Sequence, residues 1–263
     1  MKLSLNTATV RKQWNLAQAI DGCVRHGIGG IAPWRDQVAQ IGLARTRQLI
    51  KKAGLAVTGL CRSGFFTAKD WKDDNLRAIE EAQTLGAKCL VLVVGGLLPG
   101  SKDIQGSRKQ VHEGIAAILS EARKAGVPLA IEPLHPMQAA ERACINTLEH
   151  ALDICDELGE GIGVAVDVYH VWWDPKLESQ IRRAGKQRIL AYHLCDWLVP
   201  TRDLLNDRGM MGDGVIDLPL IRNWIEGAGY TGFQEVEIFS ERDWWQRDPD
   251  EVLRTCVERA ARC

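Results

Sequence analysis

Three features of the sequence predict an α/β chain closed into a single (β/α)8, or TIM, barrel. Short β-branched runs alternate with longer segments of helical period from one end of the chain to the other. Several helical segments stop at a glycine that is followed at once by the next run. The length, 263 residues with 46% hydrophobic content, suffices for one large core and gives no reason to divide residues 1–263 into two domains.

The elements follow in order. A strand at 3–7 precedes an amphipathic helix at 15–26, and a strand at 29–33 precedes a helical stretch at 35–53 that ends in Lys52-Ala53-Gly54. The third strand, 56–61, feeds a helix at 73–85 capped by Gly86. The fourth, 89–94, lies in the longest apolar run, which Gly95 and Gly96 break; it reads as a buried strand, far short of the ~20 residues that span a bilayer. Its helix, 108–125, stops at Gly126. Strands at 128–133, 163–168, 189–194 and 232–238 alternate with helices at 147–158, 175–184, 218–228 and 249–261. Such alternation implies parallel pairing with right-handed crossovers, and eight units close naturally. A doubly wound open sheet is the competing arrangement, because alternation alone does not show closure.

Bulk properties limit the partners. The net charge of -1, without a basic run, disfavours nucleic acid. The N-terminus lacks an apolar signal segment, and the 8 cysteines form no C-x-x-C pair, so a cytoplasmic protein with reduced, buried thiols and no membrane partner is expected. The oligomeric state stays open, a homo-oligomer included.

Catalysis in a TIM barrel sits at the C-terminal ends of strands. Here the fifth ends Ile131-Glu132-Pro133, the sixth Asp167-Val168-Tyr169-His170, the seventh His193-Leu194-Cys195-Asp196 and the eighth Glu235-Val236-Glu237. Buried charge in strands is costly unless paired or bound to metal. Four successive strands therefore suggest one divalent ion on Glu132, Asp167, His193 and Glu237. This mostly oxygen set suits Mn²⁺, Mg²⁺ or Co²⁺ better than a thiolate zinc site. Manganese is the first expectation, with Mg²⁺, Co²⁺ and Zn²⁺ as alternatives. Glu237 is preferred to Glu235 as nearer the mouth; Glu235 should lie deeper, with a partner such as Arg or Lys.

His135 and His170 each follow a candidate ligand by three residues and are expected to contact substrate. One or two of the tryptophans Trp34, Trp172, Trp173, Trp197, Trp244 and Trp245 should line the pocket by stacking on a sugar, Trp172 first among them. The long irregular stretch 196–217 is glycine-rich at 207–214 but matches no nucleotide-binding motif, and it is expected to form a mobile cover. Arg202 or Arg208 on it is expected to hold an anionic or hydroxylated substrate end, and Asp196 to contact substrate.

In these residues the chain resembles the xylose isomerase-like superfamily of TIM barrels, which includes ketose 3-epimerases, hydroxypyruvate isomerase, inosose dehydratase and isomerase, and endonuclease IV. The matching pieces, in the superfamily's order, are Ile131-Glu132-Pro133-Leu134, Asp167-Val168-Tyr169-His170, His193-Leu194-Cys195-Asp196, Gly212-Asp213-Gly214-Val215-Ile216-Asp217 and Glu235-Val236-Glu237-Ile238-Phe239. The resemblance implies Glu132, Asp167, His193 and Glu237 as metal ligands, the two glutamates as the acid/base pair, and His170 as a substrate contact. There are departures. The arginine that ketose 3-epimerases carry soon after the seventh-strand histidine comes later here, at Arg202. The extra histidines of endonuclease IV are replaced by Cys61-Arg62-Ser63-Gly64 and Val94-Gly95-Gly96.

The expected function is a metal-dependent sugar isomerase or epimerase that removes a proton next to a carbonyl and passes through an enediolate. Alternatives are a lyase or dehydratase acting on an inosose or 3-keto-sugar, and a non-catalytic sugar-binding barrel. The partner is a small sugar, keto-sugar or cyclitol.

Overall fold

The computed structural model describes all 263 residues. Its strands are β1 (Lys2–Asn6), β2 (Gly30–Ala32), β3 (Ala56–Val57), β4 (Leu60–Gly64), β5 (Leu90–Val93), β6 (Leu129–Ile131), β7 (Ile162–Asp167), β8 (Ile189–Leu194), β9 (Asp196–Trp197), β10 (Arg208–Gly209) and β11 (Phe233–Val236). Nine of them form one sheet in the order β3-β2-β1-β11-β8-β7-β6-β5-β4, parallel throughout. β3 and β4 are two pieces of one stave. A parallel bridge between Trp34 and Cys61, with the Cys61 N–H donating to Pro33 at 3.1 Å, ties that stave to the end of β2. The sheet thus closes, and the open-sheet alternative is excluded.

The helices are α1 (Leu16–Arg25), α2 (Arg35–Ile41), α3 (Leu43–Ala53), α4 (Trp71–Leu85), α5 (Ile104–Ala125), α6 (Leu148–Leu158), α7 (Val168–Val171), α8 (Leu177–Arg188), α9 (Leu218–Gly227) and α10 (Pro249–Ala260). The helix expected over 35–53 is two, because Gly42 sits at φ 85°, outside helical space. Helix α5 begins earlier than its apolar period suggests, since Asp103 caps it by accepting from the Gly106 N–H at 2.9 Å. The helices are amphipathic and bury their apolar stripes on the outside of the sheet, forming a core cluster of 65 buried residues. Each fully buried Leu, Ile or Phe there contributes on the order of 1.5–3 kcal/mol. No helix is long and apolar enough to cross a membrane. Seven of the eight cysteines are buried, and all are free thiols.

Inside the barrel the side chains are small. Cys61, Cys89, Val91, Ala130, Ala165 and Ala191 form a separate buried cluster. Because strand side chains alternate, the residue two places beyond each alanine points the same way, toward the mouth. Those residues are Glu132, Asp167 and His193. Small residues below therefore leave room for ionisable ones above.

The segment 196–217, expected as a mobile cover, is tied down. It starts and returns through the antiparallel pair β9–β10. The Asp196 carboxylate accepts four backbone N–H groups: Trp197 (2.9 Å) and Ile216 (3.0 Å) on Oδ1, Gly212 and Gly214 (both 2.9 Å) on Oδ2. Gly214 is obligatory in this turn, because a Cβ there would lie 2.1 Å from the Trp197 carbonyl oxygen.

Candidate metal centre and active site

Glu132, Asp167, His193 and Glu237 converge at the mouth of the barrel. All four are buried, and one ligand atom from each lies within 4.8 Å of the others. Strand register brings them together. Asp167 pairs with His193 across β7 and β8, His193 pairs with Glu235 across β8 and β11, and the Glu132 and Glu237 N–H groups extend the ladders to Leu92 and Leu194.

Each side chain is oriented by its neighbours. Asp167 caps the short helix α7, its Oδ1 accepting the Tyr169 N–H at 2.9 Å, which turns Oδ2 inward. His193 Nδ1 lies 3.1 Å from Glu132 Oε1, while Nε2 faces Glu235 Oε1 at 3.5 Å and makes no hydrogen bond of its own. Glu235 takes Asn6 Nδ2 at 2.8 Å and Thr58 Oγ1 at 2.7 Å, and Thr58 continues to Ser4 at 2.7 Å. The expected Arg or Lys partner for Glu235 is therefore replaced by neutral donors from β1 and the β3–β4 stave. The pairing of β1 with β11 sets Asn6 beside Glu235, and Thr58 reaches it from the β3–β4 stave.

Arg208 completes the centre. Its guanidinium is 3% exposed, with Nη1 2.9 Å from both Asp167 Oδ2 and Glu237 Oε2. The rings of Tyr169 and Phe239 lie against it, 4.5 and 5.0 Å from its carbon. Burial pushes the Glu237 carboxyl up to about 8, against the pull of Arg208 and with the repulsion of Glu132. Burial alone would lower His193, but Glu235, Glu132 and Glu237 outweigh it and push the imidazole up to about 10. Asp167 resists burial and stays below its usual value because Arg208, His170 and His193 face it.

The residues fit a hard divalent cation. Three carboxylates, one imidazole and no thiolate make the donor set. The three converging carboxylates against the guanidinium they share leave a net of two negative charges, and Glu235 behind His193 adds a further carboxylate, so the centre favours a divalent cation. The raised His193 and Glu237 values differ in origin, burial first for Glu237 and the surrounding carboxylates for His193, but both favour a proton at the centre. Glu235 behind His193 matches the usual carboxylate that fixes the far nitrogen of a ligating histidine.

The other expected contacts divide. His170 is buried and lines the inner pocket; the His135 N–H donates to its Nδ1 at 3.1 Å, and Arg208 Nη2 lies 3.2 Å from its Nε2. Burial lowers that imidazole to about 4, keeping it neutral. His135 stays half-buried outside the inner pocket, 4.9 Å from the Trp197 ring. Trp172 packs on Trp197 and does not line the pocket; the tryptophan that does is Trp34, held by Asn6 Oδ1 at 2.7 Å. Arg202 is engaged by Asp207 and lines only the outer vestibule. Asp196 is consumed by its four backbone donors and is an anchor for the loop. Sequence reasoning missed Arg62 and Arg142, which line the inner pocket together with Gln138 and Arg208. The signal for Arg62 was its place at the end of a barrel strand.

A family profile described as xylose isomerase-like TIM barrel matches residues 20–256. The chain belongs to that family. A curated relative, inosose isomerase of Bacillus velezensis, is 25% identical over 281 residues, covering 98% of this chain and 95% of its own. A crystal structure of a Sinorhizobium meliloti 1021 protein superposes with TM-score 0.97 at 63% identity, covering 99% and 98% of the two chains. A solved IOLI protein with a bound zinc atom has TM-score 0.85 at 22% identity, covering 100% of this chain and 97% of that one.

Proposed function

We propose that this xylose isomerase-like barrel is a divalent-metal-dependent sugar isomerase or epimerase, with Mn²⁺ the preferred ion and Mg²⁺, Co²⁺ or Zn²⁺ able to replace it. The observation that carries the reading is the buried convergence of Glu132, Asp167, His193 and Glu237 at the mouth of the barrel. The inosose isomerase relatives and the zinc held by a structure of the same fold point the same way.

An ion on those four residues would polarise a carbonyl and the neighbouring hydroxyl and stabilise the enediolate formed when the adjacent C–H proton leaves. Glu132 and Glu237 come from strands separated by β7 and β8, so their carboxylates reach a bound substrate from different sides. One takes the proton and becomes a carboxylic acid, while the electron pair moves into the carbon–carbon bond. The second glutamate, which must carry a proton at that point, delivers it to the same carbon from the other side and is left as the carboxylate; this inverts the carbon, which is epimerisation. Protonation of the neighbouring carbon interconverts ketose and aldose. His170 and Arg208 line the pocket where they can contact substrate oxygens, and the walls of Trp34, Leu134 and Phe239 limit water.

The test is solvent exchange. Ketoses and inososes are incubated with the Mn²⁺-loaded protein in D₂O and followed by proton NMR. The reading expects deuterium next to the carbonyl of at least one substrate, absent with Glu132→Gln and Glu237→Gln. Loss of water from a substrate would instead indicate a dehydratase, and no exchange in any would contradict the proposal.

A further inference from the structure

Four arginines surround the path into the site, and their carboxylate partners separate them. Arg208 is taken by Asp167 and Glu237, and Arg202 by Asp207. Arg62 and Arg142 have no ion pair, and neither side chain donates a hydrogen bond; the Arg62 Nε is buried and unsatisfied. Both line the inner pocket and also the vestibule above it, so they stand at the throat between the two. Gln138, buried, stands at the same throat. Aromatic faces back Arg62, with Trp34 5.6 Å and Phe65 4.3 Å from its carbon.

We infer that Arg62 and Arg142 form an anion subsite, and that the substrate is a polyol carbonyl compound carrying a carboxylate or a phosphate at the end remote from Glu132 and Glu237. Two unpaired guanidiniums lining one partly buried throat repel one another and lose hydration, a cost that a bound anion reverses. The direction of their acidities agrees: burial first and Arg142 next lower Arg62 to about 10, and burial first and Arg208 next lower Arg142. An uncharged sugar would leave both guanidiniums unpaired. The planar fork of arginine suits bidentate contact with either oxyanion. This deepens the proposed function and rests on it only in taking the four-residue centre as the reacting end.

The test is calorimetric titration of the full-length purified protein with sodium phosphate and, separately, sodium tartrate, against a chloride control. At least one should bind saturably, at least about tenfold more weakly to Arg62→Met and Arg142→Met, and unchanged to Arg202→Met. Arg62→Lys, which keeps the charge, should recover part of the affinity and guards against misfolding as the cause. Tartrate alone assigns a sugar acid, phosphate alone a phosphate ester, and both together a site that reads charge only. Absence of binding by either, or equal binding by the two methionine variants, overturns the inference. Loss of binding only in His193→Ala would place the anion on the metal centre and also overturn it. Metal content in Arg62→Met should equal that of the wild type, so failure here is distinct from failure of the metal reading.

Discussion

Arg208 Nη1 lies 2.9 Å from Glu237 Oε2, joining a loop that follows β8 to the end of β11, and the same nitrogen lies 2.9 Å from Asp167. One guanidinium is thus shared by two of the three carboxylates at the centre. Removing it as Arg208→Met leaves buried carboxylates without a counter-charge, which costs about 3–5 kcal/mol in protein stripped of metal. Added Mn²⁺ or Co²⁺ should restore part of that stability, because it supplies the missing charge. Urea unfolding with and without metal checks this; equal stability of variant and wild type would contradict the charge balance.

Glu132→Gln and Glu237→Gln each keep side-chain size while removing a proton acceptor. Turnover should fall by about 10²–10⁴-fold for each, measured as the exchange rate at saturating metal. Near-normal exchange in either metal-loaded variant would remove that residue from the acid/base pair.

Glu235 acts through His193. Its Oε1 stands 3.5 Å from Nε2, and Asn6 and Thr58 hold it in place. Glu235→Ala should weaken metal binding about 10–100-fold without removing a ligand. Calorimetric titration with Mn²⁺ measures it, and an unchanged affinity would leave Glu235 a purely structural residue.

In the metal-free protein the His193 imidazole is pushed up to about 10, chiefly by Glu235 against the opposing effect of burial, and burial pushes Glu237 up to about 8. Both therefore hold protons at neutral pH and must release them to ligate. Metal affinity should rise with pH by about tenfold per unit for each proton displaced, most steeply below pH 8, and level off above pH 10. Titrations across pH 6 to 9 in buffers of different ionisation enthalpy count the protons; a pH-independent affinity would contradict this.

Asp196→Ala removes the acceptor of four backbone N–H groups. Orphaning them should cost at least about 2 kcal/mol and expose residues 198–207 to faster proteolysis. Normal stability with a raised KM would instead return Asp196 to a substrate-contacting role.

The barrel was legible because its helices are amphipathic and stopped by Gly54, Gly86 and Gly126, all left-handed at φ 66–70°. The convergence of Glu132, Asp167, His193 and Glu237 was legible as well, since alternation along a strand fixes which side chains point inward. Loops carry no such rule. Arg202 and Arg208 looked equivalent in sequence, and only the return of the chain through β10 puts Arg208 inside. The Asn6 and Thr58 partners of Glu235 come from segments far away in sequence, brought to it only when β1 pairs with β11. Arg62 and Arg142 were hidden for a related reason: the absence of a partner is a fact of three dimensions.

The metal content of purified protein, measured by plasma mass spectrometry for the wild type, Asp167→Asn and His193→Ala, tests the central claim most directly. The expected result is about one divalent ion per chain in the wild type and its loss in both variants, each still folded by circular dichroism. A folded wild type that carries no metal, and that neither Mn²⁺ nor Co²⁺ stabilises against unfolding, would contradict it.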